Sequence, residues 1–280
     1  RIKQEIPALF NRISFAFHLP QYLSYLLTDY PATDITSIGC HTNLWNFNDQ
    51  TYHRWVIEEK VENCFAPILP CSTYIPFIHC NKKLIAGLGL HDSSAALIPY
   101  LISFSEPFIL LSTGTWCISL NPYNHSPLSD DELLQDCLCY LSYLGMPVKA
   151  SRLFAGYEHE QQTIKISAFF NKPLDYYKTV RYDFKILQKI KAEKNISHTT
   201  ASNSMVKQSA FSARDLSLFA SYEESYHQLI DDLITLQFQS TSIVLKDTSI
   251  KRIFVDGGFS KNQIFMHLLS NAFSGIEVYA

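Results

Sequence analysis

The stretch that most limits what this chain can fold into is "KRIFVDGGFSKNQIFMHLLSNAF", residues 251–273. A short apolar strand pattern ends at Asp256, two adjacent glycines follow, and helical spacing begins almost at once. Gly257 and Gly258 carry no side chain, so another group can approach the backbone closely there. A tight turn would account for this. A nucleotide lying beside the turn, at the N-terminus of the helix, would account for it equally. Ser260 and Gln263 fit an S-x-x-Q capping box for that helix. No GxxxxGK[ST] run occurs, so the stretch is not a Walker loop.

Two further junctions share this character. "KLIAGLGL" (83–90) is an apolar run of buried-strand length, and "HDSSAALIPYLI" (91–102) turns helical directly after it. Asp92 stands at the junction. As an N-cap it would stabilise the helix by about 1 kcal/mol. As a carboxylate at the end of a strand, facing a cleft, it could accept the proton of a hydroxyl attacking phosphorus. "PFILLSTGTWCISL" (107–120) reads as two strands about a Ser-Thr-Gly-Thr turn. The hydroxyls of Ser112, Thr113 and Thr115, with backbone N–H groups around Gly114, could hold phosphate oxygens, although a glycine in a hairpin turn is routine. His91 adjoins Asp92 and could touch a substrate. His41, His159 and His227 read as satisfied polar residues, and no HExxH pattern unites them.

The remaining pattern is mixed α and β. Residues 1–30 show helical spacing through Ile13, Phe17, Leu19, Leu23 and Leu26, with Pro20 placed to kink or split it. Segment 33–47 suggests short strands and turns, and 49–62 a helix capped by Asp49. "APILPCSTYIPF" (66–77), with three prolines, reads as a linker before a domain boundary. Residues 136–153 predict a hairpin turning at Gly145, 155–195 helix broken near Pro173, 195–204 a mobile loop, and 276–280 a closing strand. Residues 214–246 predict one long helix with Leu218, Tyr222, Tyr226, Leu229, Leu233 and Leu236 as its apolar stripe.

A net charge of −3 gives no electrostatic case for nucleic acid or an anionic membrane. No apolar run reaches the roughly 18 residues of a membrane span. The seven cysteines form no CxxC pair and are odd in number, which points to reduced thiols in a cytoplasmic protein rather than to a zinc site or disulfide framework. No metal ligand set is expected from the residues.

"GLGLHDSSAAL", "LLSTGTWCISL" and "VDGGFSKNQIFMHLLSNAF", in this order, resemble the FGGY carbohydrate kinases. "HLPQYLSYLLTDYPATDITSIGCHTNLWNF" is similar to a first-domain segment of the same family. The resemblance covers most of the chain except roughly 155–210. It implies an α/β, actin-like ATPase (ribonuclease H-like) fold of two lobes, the first incomplete. Residues 1–82 would be the remainder of the N-terminal sugar-binding domain, and 83–280 the nucleotide-binding domain without its end. It implies phosphorylation of a sugar hydroxyl with ATP and Mg²⁺, a small-molecule sugar as the partner, and admits a homodimer. By it Asp92 is the catalytic base. Gly114 and Thr115 correspond to the second phosphate-contacting turn, with the hydroxyls of Ser112 and Thr113 beside it on the ATP, Gly257, Gly258 and Asn262 to the adenosine motif, and His91 and Tyr22 are expected to touch the sugar. The His91-Asp92 pair is similar to the rhamnulose and fuculose kinase branch. The family's opening D-x-G-T/K turn has no counterpart here, and Gln21 stands where many members are acidic. A non-catalytic nucleotide-binding module of the same fold is the alternative, and a plain structural domain a third.

Overall fold

The computed structural model describes residues 1–40, 42–194 and 208–280; His41 and the expected loop at 195–204 lie outside the described residues. By its contacts the chain forms two compact units, Arg1–Ser103 with Cys139–Val148, and Phe104–Leu138 with Lys149–Ala280. The expected division at 82/83 lies within a β-hairpin, whose strands β1 (Tyr74–His79) and β2 (Lys82–Gly87) pair antiparallel.

In the first unit, Pro20 does not kink a helix but opens one, α1 (Leu19–Thr28). A first-turn proline has no intrahelical N–H bond to lose. The buried face of α1 is polar, not apolar: Gln21 and Ser24 are buried, while Leu19, Leu23 and Leu26 are exposed. Gln21 Nε2 donates to Gly89 O (2.7 Å) and Ser24 Oγ to Gly87 O (2.8 Å), so hydrogen bonds seat this helix on the end of β2. The supposed linker ends in β1, where Pro76 is tolerated because a two-stranded hairpin leaves edge N–H groups unused. The run at 83–90 is not a buried strand, since Leu84 and Ile85 of β2 are exposed and only Leu88 beyond it is buried. Asp49 caps no helix. Its carboxylate accepts from Asn46 Nδ2 (2.7 Å), and the local helix is only Arg54–Glu58, capped by His53. Asp34 caps another short helix, Ile35–Ile38, within the stretch expected as strands and turns. Helix α2 (Asp92–Ser103) then starts directly at the His91-Asp92 pair.

The second unit is built on a mixed sheet. The sheet's strands are β3 (Ile109–Thr113), β4 (Cys117–Asn121), β5 (Cys137–Leu141), β6 (Pro147–Leu153), β7 (Arg252–Gly257) and β8 (Glu277–Tyr279), in the order β8-β7-β3-β4-β6-β5, with the joined ends of β5 and β6 in the segment Cys139–Val148 that is counted with the first unit. The hairpin turn at Gly145 has φ +76, a conformation suited to glycine. Helices α3 (Ala155–Phe169), α4 (Phe184–Lys194), α5 (Tyr222–Leu245) and α6 (Gln263–Ala272) complete the unit, with the expected break around Pro173 between α3 and α4. The core packs Ile109, Leu111, Ile253 and Val255 of the central strands with Tyr226, Leu229, Ile230 and Leu233 of α5 and Phe265 and Leu269 of α6. Helix α5 begins at residue 222 rather than 214, because Ser221 Oγ accepts the Glu224 N–H (3.2 Å) and caps it there. Leu218 therefore lies outside the helix and is 78% exposed, not part of the stripe. Among the described residues none of the seven cysteines is in a disulfide, and no helix is long and apolar enough to cross a membrane.

Candidate functional site

Strands β3 and β7 run parallel, with Thr113 opposite Gly257 in register. Their C-terminal ends therefore carry the Ser-Thr-Gly-Thr turn and the paired glycines side by side, where open parallel sheets bind ligands. A cavity of about 240 Å³ opens there, lined by Thr113, Gly114, Thr115, Gly156, His159, Glu160, Gly258, Phe259 and Asn262. The structure thus brings together five of the sequence-selected residues: Thr113, Gly114, Thr115, Gly258 and Asn262. Ser112 sits one residue earlier on β3, opposite Asp256, outside the lining.

The two glycines are bare for different reasons. A Cβ on Gly257 would lie 1.9 Å from the Thr113 carbonyl oxygen, and its φ is +88. That glycine lets two backbones meet. A Cβ on Gly258 would meet nothing within 4 Å, and Gly258 borders the cavity, so its bareness leaves the cavity open at that point. The Thr113 hydroxyl is committed to the fold. It donates to Asp256 O and accepts the Phe259 N–H (3.0 Å), which ties the two turns together. The expected capping box at Ser260 and Gln263 is absent: Ser260 Oγ donates to Gly257 O (2.8 Å), and Asn262 Oδ1 takes the cap position by accepting the Phe265 N–H (3.1 Å).

Gly156, His159, Glu160 and Phe259 were not singled out as cavity residues from the sequence. For Gly156 a signal exists, a glycine in the first turn of a helix where alanine would serve the helix better. Its Cβ would fall 1.9 Å from Gly114 O. The N-terminal ends of α3 and α6 thus border the cavity, and the lining holds no lysine or arginine. Anions there would rely on backbone N–H groups and helix ends.

His159 Nε2 lies 2.9 Å from Tyr226 Oη, and Asn262 Nδ2 donates to the same oxygen (2.8 Å). Burial pulls the His159 pKa from 6.5 down to about 4. Between those values the unfolded chain takes up a proton at this imidazole that the folded chain refuses. Stability contributed by this group is therefore intact above pH 6.5 and falls on acidification, by about 3 kcal/mol over the whole window. Burial also lowers His18, His91 and His227, which adds to the same trend. In an NMR titration the His159 ring should show no protonation between pH 8 and 5. Denaturant midpoints of His159→Gln should fall less with acid than those of the parent chain; parallel losses would contradict the assignment.

In the first unit the Asp92 side chain is 94% exposed, with Oδ1 accepting the Ser93 N–H (2.7 Å) and 3.3 Å from His91 Nε2. His91 Nε2 also lies 3.0 Å from Cys40 Sγ, and the His91 N–H donates to Thr36 Oγ1 (3.0 Å). Asp34, fully buried, accepts from Gln21 Nε2 (3.2 Å) and from Thr36 Oγ1 (2.9 Å). Gln21 and Thr36 therefore hold the loop at 88–92 from two sides. Gly89, at φ +80, allows the contact, since a Cβ would fall 2.6 Å from Pro20 O. Tyr22 lies 45% exposed on α1, and among the described residues no hydrogen bond joins it to the His91-Asp92 pair.

No protein-family model matches the chain, and no curated protein matches it either. Solved structures do. A carbohydrate kinase from Novosphingobium aromaticivorans superposes with a TM-score of 0.75 at 20% identity, over 99% of this chain and 60% of that one. The chain has the fold of the carbohydrate kinases. A ligand-bound xylulose kinase from Lactobacillus acidophilus gives 0.73 at 16% identity, covering 99% and 57%. Plasmodium falciparum glycerol kinase with ADP gives 0.67 at 15%, covering 96% and 56%. The chain thus spans less than two thirds of the length of these kinases. The likeness carries the α/β, actin-like architecture expected from the motifs in register.

Proposed function

We propose that this chain forms the nucleotide-handling part of an ATP-dependent carbohydrate kinase, transferring the γ-phosphoryl group to a sugar hydroxyl. The observation that carries the reading is the cavity at the paired ends of β3 and β7, floored by glycine turns and bordered by two helix N-termini. Such a surface offers backbone N–H groups to phosphates and close approach to a nucleoside. Gly114, Thr115, Gly258 and Asn262 would border the ATP, with Gly257 and Thr113 setting the shape of the two turns. The solved glycerol kinase of the same fold holds ADP.

Asp92 is the base in this scheme. It is an exposed carboxylate at a helix start, held by a loop that the buried Gln21, Asp34 and Thr36 side chains tie down. It takes the proton of the acceptor hydroxyl as that oxygen attacks the γ-phosphorus, and the bond from phosphorus to the ADP oxygen breaks in line. His91 borders the same loop and would contact the sugar, as would Tyr22 by the family pattern. Among the described residues no group of three or more His, Cys, Asp or Glu side chains could hold a metal ion. Mg²⁺ would arrive with the phosphates, as it commonly does, and neutralise their charge when bound. The His91-Asp92 pair favours a deoxy-ketohexose of the rhamnulose or fuculose kind over the xylulose of the structural relative.

Calorimetry with ATP and Mg²⁺, followed by a coupled ADP-release screen across ketoses, aldoses and polyols, tests the proposal. The expected result is saturable ATP binding in the micromolar to millimolar range and release that depends on one sugar class. Binding without sugar-dependent release would leave a nucleotide-binding module of the same fold. No ATP binding would overturn the nucleotide reading altogether.

A further inference from the structure

The hydrogen-bond relay behind the cavity determines which nitrogen of His159 carries its proton. Asn262 Oδ1 accepts a backbone N–H, from Phe265, so its amide cannot be flipped, and Nδ2 is the group that donates to Tyr226 Oη. Tyr226 is fully buried, and its oxygen has two partners, Asn262 Nδ2 and His159 Nε2. The first can only donate. The phenol proton therefore has one acceptor within reach, His159 Nε2, and leaving it unmade would strand a buried donor. With Nε2 accepting, the neutral ring must carry its hydrogen on Nδ1. That nitrogen makes no hydrogen bond among the described residues, and His159 lines the cavity.

We infer that His159 Nδ1–H is a specificity-determining donor for an acceptor nitrogen of a purine ring bound in this cavity. The inference rests on the nucleotide reading given above. Three features assign the His159 end of the cavity to the base and not to phosphate. It carries the Glu160 carboxylate and no cation, which repels anions. Its lining includes the Phe259 ring, set edge-to-face on His159 at 5.2 Å, and Tyr177 packs on the same imidazole at 5.0 Å from outside the lining. The relay also opposes an imidazolium, because a hydrogen on Nε2 would confront the phenol proton, in keeping with the acid-shifted titration of this ring. An uncharged donor beside a flat apolar wall suits an uncharged heterocycle. Asn262, chosen from the sequence as the adenosine residue, would act largely through His159, since Oδ1 and one Nδ2 hydrogen are already used.

The test compares binding of ATP, 1-deaza-ATP, 3-deaza-ATP and 7-deaza-ATP to the unmodified chain. In each analogue one of the three acceptor nitrogens of the ring is replaced by C–H. One of the three should bind about tenfold more weakly than ATP, the effect of one lost hydrogen bond to a group left unpaired. His159→Phe should bind ATP and that analogue alike. If ATP binds and all three analogues bind as well as ATP to the unmodified chain, the inference fails while the nucleotide reading stands. If ATP itself does not bind, both fail. A second measurement needs no ligand: long-range ¹⁵N–¹H spectra at pH 7 should show His159 as the Nδ1–H tautomer. Finding Nε2–H would overturn the relay.

Discussion

Asp92→Asn is expected to lower kcat about 10²–10⁴-fold, the range in which a positioned general base contributes, and to leave the ATP dissociation constant within about twofold, since the change removes no backbone contact at the nucleotide turns. The substitution is nearly isosteric. The amide oxygen still accepts the Ser93 N–H that the carboxylate accepts at 2.7 Å, so the start of α2 keeps its local bond. What disappears is the negative charge and with it the basicity. A thermal melt within a degree or two of the parent would show that only chemistry has changed. Turnover equal to the parent's would remove Asp92 from the mechanism and leave it a helix-start residue.

Gly156→Ala should rank with Gly257→Ala among the most damaging single methyl groups in the second unit. The new carbon would stand 1.9 Å from Gly114 O and 3.0 Å from Thr115 Cα, both backbone, which cannot rotate away as a side-chain tip could. Either α3 backs out or the Ser-Thr-Gly-Thr turn moves. Overpacking of this kind costs about 1–3 kcal/mol. A displacement of about 1 Å in a phosphate-positioning turn can cost about 10²-fold in catalysis. ATP affinity should fall together with the melting temperature. Gly258→Ala provides the contrast, because its Cβ meets no protein atom within 4 Å yet borders the cavity. Its melting temperature should match the parent's while nucleotide binding weakens. If Gly156→Ala binds ATP normally, the turn and the helix are not the rigid pair described here.

Local units were legible in the sequence wherever the determinants are neighbours along the chain. The strand ending at Gly257, the helix from residue 263, the Gly145 hairpin and the break near Pro173 all depend on residues a few positions apart. Errors arose where a local pattern admits two environments. The apolar run at 83–90 has the composition of a buried strand, but among the described residues its strand pairs with β1 alone, and Leu84 and Ile85 stay exposed. On α1 the leucines suggested the buried face, while Gln21 and Ser24 take it because the end of β2 presents carbonyl oxygens there. Nothing in the one-dimensional pattern reveals where an unpaired carbonyl will be. Ser260 satisfied the spacing of a cap, but Asn262, nearer the helix, accepts the N–H instead.

By itself, then, the sequence determined where the backbone had to be bare and where one carboxylate had to begin a helix, because glycine's freedom and a cap's reach are properties of adjacent residues. Tertiary structure alone decided what those turns face. Phe259 reaches the Thr113 hydroxyl across 146 positions of chain, and His159 reaches Tyr226 across 67. The parallel register of β3 and β7 and the packing of α3 beside α5 create these meetings. They turn a threonine expected to hold phosphate into a stitch between turns, and a histidine read as a satisfied polar residue into the wall of the cavity. Register and packing minimise the free energy of the whole core, so no window of sequence contains them.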